Sequence, residues 1–92
     1  MNPSELVSNL QYPMESLDTS KYSYKSVIIA ALTWDNDSWV PEALDWIDSG
    51  VELDNEIVKA LEEISSNKEN TQKNRHRAFA IAKRWLRNNA NT

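Results

Sequence analysis

Ninety-two residues are enough for one domain that buries roughly 60–65% of its unfolded surface without staples. The chain has no cysteine and a single histidine, which excludes a disulfide framework and thiolate metal ligation and makes a zinc site uncommon. The net charge of −4 hides an asymmetry: residues 1–58 carry eleven acidic side chains against Lys21 and Lys25, whereas residues 59–92 carry eight basic ones against Glu62, Glu63 and Glu69.

One glycine and three prolines fit a helical protein and fit poorly with turn-rich β architecture. The N-terminus, Met1-Asn2-Pro3-Ser4-Glu5, has neither a basic nor an apolar leader region, so cytoplasmic residence is expected. Asn2 as cap, Pro3 in the first helical position and Glu5 behind them predict a short helix over 3–10. Leu6, Val7 and Leu10 form its inward face. Pro13 ends any continuation, and Gln11 to Thr19 reads as a connection tucked down by Met14 and Leu17.

The next stretch, Ser26 to Trp34, is the one place where apolar residues run almost without a break. Nine residues cannot span a bilayer, which takes about 20, so no membrane association is expected. Val27, Ile28 and Ile29 lean towards strand, and Ala30, Ala31 and Leu32 lean towards helix. No second strand-like run exists to pair with them, so a central helix over 21–34 is predicted, capped by Ser20 or Thr19 and buried nearly all round.

Asp35-Asn36-Asp37-Ser38 is a turn and cap cluster; it lacks the glycine and distal glutamate of a calcium loop. A helix over 38–49 follows, with Pro41 confined to its first turn. Val40, Ala43, Leu44 and Ile47 form its buried stripe, Glu42, Asp45 and Asp48 its acidic face, and Gly50 its left-handed terminator. Asp54 caps a helix over 54–66 whose stripe is Ile57, Leu61 and Ile64. The last helix, 71–88, is predicted to bury Ala78, Phe79, Ala82, Trp85 and Leu86. Residues 89–92 are expected to fray.

The fold expected is therefore all-α, a single-domain bundle of four to five helices across 1–92. Residues 1–20 form a short helix and connection, and the last four helices form two αα-hairpins. No internal repeat is visible, and two hairpins fall short of a stable solenoid.

Two surfaces stand out. Trp39 and Trp46 lie one heptad apart along the edge of the apolar stripe, beside Glu42, Asp45 and Asp48; edge aromatics either close the core's margin or anchor a protein interface. On the last helix Lys73, Arg77, Arg84 and Arg87 recur at three- and four-residue spacing, with Ala80 filling the gap between 77 and 84 and with Arg75, His76 and Lys83 beside them. Such a strip could follow nucleic-acid phosphates, or remain a solvated face partly neutralised by the acidic helix. Carboxylate pairs such as Glu62 and Glu63 read as helix surface. With no phosphate loop, nucleophile elbow or Cys–His pairing, neither an enzyme nor a cofactor is expected. The function expected is protein interaction through the tryptophan-edged acidic surface, with a protein partner or self-association. Nucleic-acid binding through the basic helix is the alternative.

Overall fold

The computed structural model describes residues 3–89. The expected cap Asn2 and the tail residues 90–92 lie outside them. Among the described residues there are five α-helices and no strand: α1 (Pro3–Ser8), α2 (Tyr24–Leu32), α3 (Val40–Asp48), α4 (Asn55–Ser66) and α5 (Gln72–Asn89). Two short 3₁₀ turns, Asn9–Gln11 and Met14–Ser16, tighten the chain between α1 and α2. None of these helices is long and apolar enough to cross a membrane.

α2 begins three residues later than predicted. Asp18 holds the preceding turn, its carbonyl accepting from the Lys21 and Tyr22 N–H groups. Ser23, in extended backbone, is the cap, and its Oγ accepts from the Ser26 N–H at 3.0 Å. α2 nonetheless takes the central place: it packs against α1, α3 and α4, with Val27, Ile28, Ala31 and Leu32 buried. α2 is thus less the arm of one hairpin than the hub of the domain.

α3 carries the expected stripe, Val40, Ala43, Leu44 and Ile47, and buries Trp46 as well. Pro41 falls in its first turn, where a missing N–H costs nothing. Gly50 ends it at φ +124°. The Gly50 N–H donates to the Ile47 carbonyl and the Val51 N–H to the Trp46 carbonyl, the paired bonds of a Schellman terminus. Val51 drops into the core directly afterwards.

α4 is capped by Asp54, whose Oδ1 accepts from the Ile57 N–H at 2.9 Å. It buries Ile57, Leu61 and Ile64 as expected, together with Val58 and Ala60. α4 and α5, joined by five residues, make the most extensive helix pairing in the molecule, and a connection this short sets them antiparallel.

On α5 the prediction fails in part. The buried residues are Asn74, Ala78, Ile81 and Ala82, with Trp85 half-buried. Phe79 and Leu86 are exposed, at 54% and 43%. Apolar side chains cover a wide arc of this helix, and α3 and α4 occupy only one flank of that arc.

Candidate interaction surfaces

The tryptophan-edged surface loses its anchor. Trp46 is 5% exposed: its Nε1–H donates to the Tyr12 carbonyl at 3.1 Å, and its ring meets Tyr24 edge-on at 5.9 Å. The N-terminal connection covers the side of α3 from which Trp46 was expected to project. Trp46 is core, and the stripe's edge does not lie open there. Trp34, Trp39 and Trp85 are half-buried and packed against the same core.

The acidic residues of α3 are engaged within the chain. One nitrogen of Arg77, Nη2, donates to Asp45 Oδ1 and to Asp48 Oδ2, both at 2.9 Å. This fork clips α5 to α3. Burial works against the Arg77 charge, and the hydrogen bonds to Asp45 and Asp48 outweigh it and hold the pKa above its usual value. Glu42 is half-buried with Oε2 withdrawn from solvent, and Arg75 likewise turns its Nε inward. Part of the opposition between an acidic N-terminal part and a basic tail is therefore neutralised inside the fold.

Two further polar joints hold the helices in register. Lys25 on α2 pairs with Asp54 at 2.8 Å and Glu56 at 2.9 Å at the start of α4. The hydrogen bonds that Lys25 donates to Asp54 and then to Glu56 raise its pKa, while those that Asp54 accepts from Lys25 and then from the Ile57 N–H lower that of Asp54. Thr71 caps α5, its Oγ1 accepting from the Asn74 N–H at 3.2 Å, and Asp37, from the cluster with the side-chain types of a calcium loop, instead braces that cap. Its Oδ2 accepts from the Thr71 N–H at 3.1 Å and from Asn74 Nδ2 at 3.3 Å. Asn74 is the one buried polar residue among those described. A polar recess of about 200 Å³ beside this joint is lined by Trp34, Asp35, Asp37, Glu63 and Glu69. No group of three or more His, Asp or Glu among the described residues is placed to hold a metal ion.

What remains open is the outer side of α5. Lys73, His76, Lys83, Arg84 and Arg87 are exposed, and α5 contains no acidic residue. Among the described residues Lys73, Lys83, Arg84 and Arg87 have no carboxylate within 4.0 Å. Arg77 and Arg75 are set apart from them, one in the α3 fork and the other partly inward. The basic strip predicted from spacing is thus divided between a structural half and a solvent-facing half.

Between α4 and α5 runs a shallow groove lined by Glu62, Ser65, Phe79, Ala82, Lys83 and Leu86. Phe79 and Leu86 are one heptad apart on its α5 side, and Lys83 lies 5.4 Å from the Phe79 ring centroid. Spacing alone places these two apolar side chains in the core, and the structure leaves them exposed. The available signal was that Ile81 and Ala78 already supply a complete inward stripe with Ala82 and Trp85, leaving Phe79 and Leu86 surplus. No protein-family model, curated protein or solved structure matches the chain.

Proposed function

We propose that this protein is a non-enzymatic protein-interaction module whose binding surface is the Phe79–Leu86 strip along the α4–α5 groove. The observation that carries the reading is the exposure of these two large apolar side chains on one flank of a helix whose other flank already fills the core. Leaving them in water forgoes transfer energy on the order of 1–2 kcal/mol for the pair. Covering them with an opposing helix face recovers it, and the apolar strip with a charged rim is the anatomy of an interface core. The acidic face of α3, with Trp39, Glu42, Asp45 and Asp48, is a weaker candidate because Trp46 lies inside and Arg77 occupies two of its carboxylates.

The test is capture by the tagged full-length chain from native extract supplemented with untagged chain, compared with a Phe79→Ser, Leu86→Ser bait. A stoichiometric, nuclease-resistant protein, whether another chain or its own, held by the first bait and lost from the second is the expected result. Equal capture by both baits sinks the assignment of the surface.

A second reading, nucleic-acid binding, is favoured by one observation: Lys73, Lys83, Arg84 and Arg87 are exposed on a helix with no acidic residue. Four phosphate contacts on duplex DNA would give a log–log salt slope of about −3 to −4. A binding signal that is flat in salt excludes this reading.

A further inference from the structure

The groove's two rims have opposite charge. Glu62 stands on the α4 rim and Lys83 on the α5 rim, both exposed, both lining the same apolar strip. Neither has an oppositely charged side chain within 4.0 Å among the described residues. Lys59, the only cation of α4, does not line the groove. A uniformly acidic partner would meet Glu62, and a uniformly basic one would meet Lys83. The surface that complements this one is a surface of the same kind turned about.

We infer that the α4–α5 groove is the interface of a symmetric homodimer, with the two-fold axis running along the groove so that α4 of each copy lies over α5 of the other. The inference rests on the reading of the strip as an interaction surface. A two-fold axis along the groove maps the α4 rim of one copy onto the α5 rim of its partner, so that Glu62 and Lys83 oppose one another reciprocally. An axis across the groove would set α5 against α5 and bring the basic helices together, which like charge disfavours. Shape agrees with charge: Ser65 and Ala82 are the small residues of the groove, and Phe79 and Leu86 are the large ones. With α5 of one copy over α4 of the other, Phe79 and Leu86 meet the small Ser65 on the partner copy's α4 rim, and Ala82 leaves room for that rim on its own side. Two anchors per copy make a small interface beside the roughly 800 Å² per partner of a standard one, so the dissociation constant is expected on the order of micromolar.

The experiment is sedimentation equilibrium of the full chain, 10.6 kDa per copy, at low salt over a micromolar to millimolar range. The wild type is compared with Glu62→Lys, with Lys83→Glu, and with an equimolar mixture of the two variants. The wild type should approach the mass of two chains. Each variant alone should weaken association at least tenfold, since Glu62→Lys sets Lys against Lys and Lys83→Glu sets Glu against Glu. The mixture should regain the dimer, because one copy then carries two cations at the interface and the other two anions. Circular dichroism, unchanged in both variants because each side chain is exposed, confirms that folding is intact. A wild type that stays monomeric throughout overturns the inference, and so does a dimer that the variants leave unaltered or a mixture that fails to associate. Strip-dependent capture of a different protein by a monomeric chain would leave the interaction module standing without the dimer. Strip-independent behaviour in both experiments would remove both.

Discussion

Trp46→Ala is the sharpest test of how α3 is used. The side chain is 5% exposed, stacks edge-on against Tyr24 and donates to the Tyr12 carbonyl. Truncating a buried aromatic to alanine costs about 3–5 kcal/mol, a figure that already includes the cavity left behind. Against a total stability of about 5–15 kcal/mol for a domain, that is about a fifth or more of the whole. At about 4–8 °C per kcal/mol for a domain of 60–100 residues, the midpoint of thermal unfolding should fall by about 12 °C or more. Trp46→Phe keeps most of the burial and forfeits the N–H bond, so about 1–2 kcal/mol is expected. Phe79→Ser, at an exposed position, should cost less than about 1 kcal/mol. The assay is urea denaturation followed by far-UV circular dichroism, since three other tryptophans confuse fluorescence. A loss below about 1 kcal/mol for Trp46→Ala would refute the reasoning and return this side chain to the surface.

Other expectations follow from particular joints. Gly50→Ala should destabilise by about 1–3 kcal/mol through backbone strain at φ +124°, because an added Cβ would meet nothing within 4 Å; an unchanged urea midpoint would contradict the Schellman terminus. Asp37→Ala removes the acceptor for the Thr71 N–H and the buried Asn74 amide, costing about 1–3 kcal/mol, and Asp37→Asn, which keeps a carbonyl acceptor, should cost less in the same titration. The link between α2 and α4 is pH-dependent in a defined direction. Asp54 titrates below 3.8 in the folded chain, so its contribution is complete above that value and is lost as pH falls through the lowered folded pKa. Lys25 titrates above 10.5, so its contribution is complete below that value and is lost as pH rises past it. Asp54→Asn should therefore flatten part of the acid limb of stability against pH, and an acid limb identical to the wild type's would show that the pair contributes nothing.

Local rules account for much of this fold because they act over a few residues. The cap at Asp54, the left-handed stop at Gly50 and the stripes of α3 and α4 each need only spacing and side-chain type, and the helices formed where those signals stood. The start of α2 slipped from 21 to 24 because Ser20 and Ser23 are equally good caps in sequence. The Asp18 turn, whose hydrogen bonds reach forward to Lys21 and Tyr22, selected Ser23.

The surfaces were a different matter. On α5 the apolar residues at 78, 79, 81, 82, 85 and 86 span more of the helix than one neighbour can cover, so periodicity admits two inward faces. Packing of α4 and α3 chose the face through Ala78, Ile81 and Ala82 and left Phe79 and Leu86 in solvent. The burial of Trp46 depends on Tyr12, 34 residues earlier, and the neutralisation of Asp45 and Asp48 depends on Arg77, 32 and 29 residues later. Residue types and spacing by themselves determined that the chain is helical and which residues could face inward. Only the tertiary arrangement decided which apolar and charged side chains were left over to meet a partner, because exposure is what remains after distant segments have covered one another.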